Sequence, residues 1–448
     1  MKWRTVELGE VVKHRKGTIN IDDNTNYKLC RVQLHRKGVV LREFINGSMI
    51  KTKKQQVCKS GDFIVAEMDA KVGGYGFVPA ELEGAIVSSH YFLFELDENK
   101  IRPGFLEVIS QLQILQDQIK AVGSTNYAAI RPANVLKWKI PITNIQGQIN
   151  IERLYFETKE LSNLISTHLH HQLDLIKQLR QAFLREAVAG RFEFPERPEK
   201  EETGAQLLEK IKAEKERLVR EGKIKKQKPL PPISADEIPF EIPENWVWCR
   251  LGEVADIKRG KGPKYAENGV FKMLNQRCVR WFTIETEHCK SIDEIWYNTV
   301  DDDFKVSNTD LLVNSTGDGT IGRSGIANQN CEGFIFDSHI LRVRGYLGIS
   351  QSLLCYVINS NYGQGLIDSI KGATSTKQTE LGVNNLSMFA IPLPPLSEQR
   401  QIVEKLDKLM GYCDKLEASI RESQAENERL LQQVLREAMG GGKDNLFP

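Results

Sequence analysis

Leu8-Gly9-Glu10-Val11 and Leu251-Gly252-Glu253-Val254 are one tetrapeptide written twice in a 448-residue chain. Each copy follows a tryptophan (Trp3, Trp248) and precedes a basic stretch, Lys13 to Lys16 or Lys258 to Lys264. The two copies stand 243 residues apart, and the offset drifts as they are followed inward. Gly61 to Val65 matches Thr309 to Val313 at 248, Ser89-His90 matches Ser338-His339 at 249, and Ile140-Pro141 matches Ile391-Pro392 at 251. From there the offset holds at 251, through Ile151/Ile402, Ile165/Leu416, Leu169/Ile420, Leu179/Leu430 and Phe183/Val434. Loops absorb insertions and helices do not, so the drift separates a loop-rich globular front from a rigid helical back in each copy.

Composition is that of an ordinary folded protein, 40% hydrophobic and 27% charged, with length for two to four domains. The net charge of +2 does not by itself mark a polyanion partner, so any basic surface has to be local. Charge follows Met1-Lys2-Trp3-Arg4 at once and no 18-residue apolar run occurs, which points to a cytoplasmic protein with no membrane partner. Eight cysteines lie scattered without a CxxC pair and read as reduced thiols.

The expected fold is α+β: two tandem mixed α/β domains, each followed by a long helix, the two helices pairing as a coiled coil. Strand-like runs (62–66, 89–95, 310–313, 339–344) accompany one helical stretch per front, 104–122 and 349–370. In the second back part Ile402, Leu406, Leu409, Cys413, Leu416 and Ile420 are spaced 4, 3, 4, 3, 4, and Leu430 and Val434 resume the pattern, as in a coiled-coil seam. About 40 residues of helix would reach roughly 60 Å, more than one domain needs, so a partner helix is required. The first copy's stripe of Leu161, Leu164, Ile165, Leu169, Leu173, Ile176, Leu179 and Phe183 is wider than a two-helix seam and implies a further partner. Ser397 is expected to cap the second helix behind Pro394-Pro395, and Gly440-Gly441-Gly442 to end it. The resulting boundaries are 1–145 and 245–395 for the domains, 146–192 and 396–440 for the helices, 441–448 for a tail, and 193–244 for a charged, proline-rich linker with a helix near 204–221, read as a semi-rigid spacer.

No catalytic constellation survives inspection. Gly317-Asp318-Gly319-Thr320-Ile321-Gly322 spells GxGxxG, but no helix follows to face a pyrophosphate, and the glycines are read as a hairpin. Glu67, Asp69 and Lys71 resemble the end of a metal-dependent nuclease site, yet the second copy has no such set. His168 and His171 share a helix face without a third ligand. What repeats instead is basic and polar. Lys13, Arg15 and Lys16 match Lys258, Arg259, Lys261 and Lys264 in what read as glycine-bearing loops suited to phosphates. Ser124, Thr125, Asn126 and Tyr127 match Thr374, Ser375, Thr376, Lys377 and Gln378, short donors suited to phosphates or base edges. The competing readings are a stand-alone nuclease using Glu67 and Asp69, and a coiled-coil adaptor without a DNA role.

Four segments resemble the specificity subunits of type I restriction-modification systems: Ile391-Pro392-Leu393-Pro394-Pro395-Leu396-Ser397-Glu398-Gln399-Arg400, Thr320-Ile321-Gly322-Arg323, Lys228-Pro229-Leu230-Pro231-Pro232-Ile233 and Ile242-Pro243-Glu244-Asn245-Trp246. The resemblance covers nearly the whole chain. It implies two target recognition domains, each reading half of a split double-stranded DNA site, with Arg323 among the contacts, and held apart by the two long helices, paired as an antiparallel coiled coil. It further implies that those helices dock two modification (methyltransferase) subunits, and restriction subunits besides, through Leu161, Ile165, Leu169, Leu173, Ile176, Phe183, Ile402, Leu406, Leu409, Leu416, Ile420, Leu430 and Val434. No cofactor is expected on this chain; S-adenosylmethionine, ATP and Mg belong to the partner subunits. The first copy departs from the pattern, having Ile140-Pro141-Ile142-Thr143-Asn144-Ile145 where the second has Leu-Pro-Pro-Leu-Ser-Glu-Gln.

Overall fold

The structure, a computed structural model, describes residues 3–119, 130–194, 202–372 and 380–438. It forms two compact units, Met1–His170 with Arg421–Pro448, and His171–Ile420.

In the first unit the strands are β1 (Arg4–Glu7), β2 (Val12–Arg15), β3 (Thr18–Asn20), β4 (Asn26–Val32), β5 (Val39–Asn46), β6 (Lys54–Val57), β7 (Phe63–Ala66), β8 (Tyr75–Phe77), β9 (Ile86–Val87), β10 (Tyr91–Leu96) and β11 (Lys139–Ile142). They form sheets of order β2-β10-β7-β8 and β3-β6-β9-β4-β5, with β1 and β11 as a separate antiparallel pair. Strand β7 is apolar throughout because both of its faces are covered: Phe63 and Val65 enter one core with Leu8, Val12 and Phe105, while Ile64 enters another with Cys30, Val39 and Leu93.

The second unit repeats the plan with β12 (Val247–Arg250), β13 (Ala255–Arg259), β14 (Lys272–Leu274), β15 (Phe282–Thr283), β16 (Lys290–Ser291), β17 (Leu311–Asn314), β18 (Ser324–Ile326), β19 (Ile335–Phe336), β20 (Ile340–Gly345) and β21 (Ala390–Leu393). Its sheets run β13-β20-β17-β18-β15 and β16-β14-β19, and β12 pairs antiparallel with β21 as β1 does with β11. Strand β17 is again buried on both faces, with Leu311 and Val313 in one core and Leu312 in another. The Gly317 to Gly322 segment is the turn of the β17–β18 hairpin. Gly322 has φ +83°, and a Cβ there would lie 2.4 Å from the Ile367 side chain, so both backbone and space call for glycine.

Each expected helical stretch is broken. The first gives Pro103–Ser110 and a short turn at Ile114–Asp117, because the Gln111 N–H closes on both the Glu107 and Val108 carbonyls and tightens the last turn. The second splits into Gln351–Asn359 and Asn361–Gly372 at Ser360, whose extended backbone ends one helix and whose hydroxyl accepts from the Gly363 N–H at the start of the next.

The long helices run Ile145–Val188 and Leu396–Ala438. Within the first unit Asn427 donates to the Ser162 carbonyl (2.9 Å), and Leu431 packs on the core containing Tyr155. Within the second, Arg180 binds Asp414 (2.7 Å) and Glu417 (3.2 Å), while Leu184 and Ala187 pack with Ile402, Leu406 and Met410. Rising numbers on one helix meet falling numbers on the other in each unit, so the pairing is antiparallel. The seam differs from the apolar reading. It passes through Met410, Cys413, Glu417, Ile420, Gln424, Asn427, Leu431 and Val434, and leaves Leu416 and Leu430 exposed. Polar contacts from Arg180 and Ser162 carry it where apolar residues were expected.

Two further expectations fail. Ser397 does not cap the second helix, which has already begun at Leu396; its hydroxyl is buried without a partner. The linker is no spacer. Its helix, Gly204–Arg220, is capped reciprocally by Thr203 and Gln206 and buries Leu207, Leu208 and Ile211 in the core with Cys249, Leu251 and Val254. Its charged residues disguised a stripe at helical spacing.

Candidate nucleic-acid and subunit interfaces

Two of the resemblance-bearing motifs, Ile391 to Arg400 and Ile242 to Trp246, meet in space. Glu398, buried in the first turn of the second long helix, accepts from Asn245 Nδ2 (2.6 Å) and Trp246 Nε1 (2.7 Å). Beside it, Gln399 accepts from the Ser350 N–H (3.0 Å) and donates to the Pro394 carbonyl (2.9 Å). Arg250 lies buried and grips the proline-rich segment, donating to the Pro231 and Pro232 carbonyls (both 3.1 Å), to Met388 and to Glu237 (2.5 and 2.9 Å). Proline lacks an N–H but keeps a carbonyl acceptor, so a guanidinium fork is a suitable clasp. Arg250 holds the Glu237 carboxyl down at about 2, with help from the Ser234 backbone.

The first copy does the same job without the same letters. Gln148, equivalent to Gln399 at offset 251, is buried, accepts from the Arg102 N–H (2.9 Å) and donates to the Thr143 carbonyl (2.9 Å). Thr143 and Pro394 stand at the same offset, and Arg102 and Ser350 each directly precede a helix. Asn144 accepts from the Gly147 N–H (2.8 Å), so an asparagine caps the first long helix.

The basic residues divide into engaged and free. Lys13 and Arg15 lie on strand β2 and Lys258 and Arg259 on β13, not in loops, whereas Lys16, Lys261 and Lys264 lie beyond the strand ends. Arg15 is spent internally: it forms an ion pair with buried Asp62 and donates to the Val57 carbonyl (2.7 Å). Burial and Lys16 hold His14 below the usual imidazole value, so it adds no charge at neutral pH. Lys13 and Lys16 are exposed. In the second unit Lys258 pairs with Asp303 and Arg259 with Glu380. Arg342, fully buried, binds Asp256 (2.6 Å) and Asp303 (3.0 Å), and Arg344 binds Asp310 (2.5 Å), so β13 and β20 carry a nearly balanced charge network. Burial pulls the Lys258 ammonium below the ordinary lysine range, Asp256 opposing it and Arg342 adding to it. Lys261 and Lys264 remain exposed, Lys261 with its ammonium 4.3 Å from the Phe304 ring centre and Lys264 in a long ion pair with Asp293 at 3.9 Å. Arg323 donates to the Gly319 carbonyl (2.9 Å) and lies over the partly exposed Trp281 ring. Ser124, Thr125, Asn126, Tyr127, Thr374, Ser375, Thr376, Lys377 and Gln378 lie outside the described residues.

Glu67 is committed to His90 (2.7 Å) and Arg131 (3.2 Å), and among the described residues no group of three or more His, Cys, Asp or Glu could hold a metal ion. No described helix is long and apolar enough to cross a membrane.

On the long helices Ile176, Ile402 and Leu406 are buried, while Leu169, Leu173, Phe183, Leu409, Ile420 and Val434 are half-buried. Three exposed apolar positions on the long helices repeat with the duplication, whereas exposed Leu154, Leu164 and Leu175 stand opposite Lys405, Lys415 and Glu426 at the same offset. Leu161 and Tyr412 (60% and 61% exposed), Ile165 and Leu416 (46% and 51%), and Leu179 and Leu430 (39% and 57%) are pairs at offset 251. Leu416 and Leu430, which the heptad spacing assigns to the seam, are outward residues, as are their counterparts Ile165 and Leu179 in the first copy.

Comparison with known proteins agrees in kind. The family model described as the type I restriction modification DNA specificity domain matches residues 1–167 and 243–426. The EcoAI specificity subunit of Escherichia coli is 32% identical over 256 residues, 55% of this chain and 42% of that protein, so the match spans less than half of the curated relative. A chain from a structure of type I R-M complex assembly and conformational transition superposes with a TM-score of 0.63 at 20% identity, over 98% of both chains. The HsdS subunit of Thermoanaerobacter tengcongensis gives 0.55 at 20% identity, over 98% of this chain and 97% of that one.

Proposed function

Because this chain belongs to the type I restriction modification DNA specificity family, we propose that it is a non-catalytic, cytoplasmic subunit that reads a bipartite double-stranded DNA site. One sheet domain reads each half-site, and the helices dock two modification subunits. Methyl transfer from S-adenosylmethionine takes place on those partners, and restriction subunits bring ATP and Mg. The observation that carries this reading is the set of exposed apolar residues repeated at offset 251, Leu161/Tyr412, Ile165/Leu416 and Leu179/Leu430. Such residues on a long helix mark a docking face, and a face repeated by internal duplication suits two copies of one partner. Exposed Lys13, Lys16, Lys261 and Lys264 supply phosphate contacts that position the domains.

The test is a chimera. Residues 1–145 are replaced by the corresponding domain of a relative, the complex is assembled with the modification subunit, and methylated adenines are mapped in exposed DNA. One half of the recognised sequence changes and the other is kept. A change in both halves, or methylation without sequence preference, refutes the division of labour.

A further inference from the structure

We propose that the β4–β5 ribbon of the first domain reads bases in the major groove, with Arg42 and Phe44 as its reading side chains; this rests on the DNA-reading function above. The two sheet domains differ in charge. Residues 1–145 hold 21 Lys and Arg against 15 Asp and Glu, whereas residues 245–395 hold 15 against 16. The excess concentrates in residues 28–59, where nine Lys and Arg face the single carboxylate Glu43. Polyanion binding needs a local basic surface of this kind, and the chain's overall +2 conceals it.

The ribbon is shaped to be read from outside. Strand β5 is the edge of its sheet, paired only with β4, and Leu41, Arg42, Glu43 and Phe44 are exposed in succession. Edge strands are ordinarily blunted by charge, proline or short length. Here a bulge and the charges of Arg42 and Glu43 blunt the edge, yet the strand is eight residues long and displays Phe44 at 67% exposure, which edge protection does not require. The register shows a bulge: Leu29 faces Glu43 and Cys30 faces Leu41, so Arg42 is the extra residue. Bulges re-aim side chains. The Arg42 side chain is 62% exposed, and its one ion pair among the described residues is with its neighbour Glu43 at 3.2 Å, a screened contact that DNA can replace.

The ribbon is also held still. At its tip His35 and Arg36 adopt left-handed backbone (φ 58° and 62°), and their N–H groups donate to the Val72 and Gly73 carbonyls at 2.8 and 2.9 Å. A non-glycine pair in that region costs free energy and persists only where the surroundings impose it. The second domain has a reduced equivalent. Strands β4 and β14 each pair parallel with a counterpart, β9 or β19, and antiparallel with β5 or β16, but β16 is only two residues long. Two readers of different half-sites should diverge at the reading element.

A two-stranded β-ribbon fits the major groove. There a guanidinium can bond guanine O6 and N7, and an apolar side chain can meet a thymine methyl.

The test uses the complex with its modification subunit and a pool of duplexes randomised over both half-sites, sequenced after retention. With Arg42→Ala, discrimination at one base pair of one half-site falls roughly tenfold to a hundredfold, and the other half-site keeps its sequence. Phe44→Ala relaxes a neighbouring position. Lys54→Ala, at the exposed lysine that opens β6 within the same basic segment, weakens retention of all duplexes alike, as loss of a phosphate contact does. Both reading side chains are exposed, and retained assembly with the modification subunit checks that each variant folds. Undiminished discrimination at every position, or uniform weakening in both variants, overturns the proposal. A wild-type complex that retains no preferred sequence overturns the DNA-reading function instead.

Discussion

Glu398 fastens the start of the second long helix to the Asn245-Trp246 segment, and its loss should loosen the second unit measurably. The carboxylate is buried and accepts two side-chain hydrogen bonds, at 2.6 and 2.7 Å. Bonds to a charged group contribute about 1.5–3 kcal/mol each. Glu398→Ala leaves an indole N–H and an amide buried without that acceptor, so a loss of about 3–5 kcal/mol is expected, after allowance for some relaxation. Glu398→Gln keeps one acceptor oxygen and turns an amide N–H₂ toward the other donor, for roughly half the cost. Trp246→Phe removes the indole N–H and keeps an aromatic ring. The double-mutant cycle of Glu398→Gln with Trp246→Phe should therefore show a coupling of about 1.5–3 kcal/mol. Guanidinium unfolding followed by circular dichroism reads this as a shift in midpoint at constant slope. A coupling below about 0.5 kcal/mol would mean that helix and segment are held by apolar packing alone, and the hub would be wrong.

Arg15→Ala should destabilise the first unit by about 3 kcal/mol, because it strands buried Asp62, whereas Lys16→Ala should leave the melting temperature unchanged and lower the salt slope of DNA binding by about one. The Glu237 carboxyl, held at about 2 by Arg250, gives a pH signature. A depressed carboxyl contributes stability that is present above its unfolded value near 4.5 and lost as pH falls toward 2. Glu237 is over a third exposed, so the screened contribution is about 1–2 kcal/mol. Thermal melts of wild type and Glu237→Gln should therefore converge between pH 5 and pH 2.5, and parallel curves would refute the clasp. Ile165→Glu and Leu416→Glu should change stability by no more than about 0.5 kcal/mol yet prevent co-purification with the modification subunit; retention of the partner in the double variant would remove these residues from the docking face.

How much of this was legible in the sequence depended on whether the signal was local. The duplication, the two long helices and the GxGxxG hairpin are written in spacing and glycines. The seam was not, because a stripe of leucines repeating every 3.5 residues fits either face of a helix, and here the partner-facing stripe carries Glu417 and Asn427 while leucines look outward. Arg15 read as a DNA contact because its partner, Asp62, lies 47 residues away. Gln148 was passed over because its neighbours spell nothing like the Leu-Ser-Glu-Gln of the second copy; only the shared bonding with Gln399 reveals the equivalence. The β4–β5 ribbon left a trace, nine cations within 32 residues, which chain-wide charge averaged away.

The pairing of β1 with β11, and of β12 with β21, has a consequence for how such proteins change over generations. Each globular domain begins and ends on neighbouring strands, so it leaves the framework through one narrow neck. Genetic exchange within the two strands of that neck can replace everything between them at once without disturbing the helical register behind it, provided the incoming domain repacks on the residues the helices lend to its core, Ile151, Tyr155 and Leu431 in the first unit and Leu207, Leu208 and Ile211 in the second. An exchange of that kind alters a whole sheet domain in one step, whereas substitution alters one residue at a time.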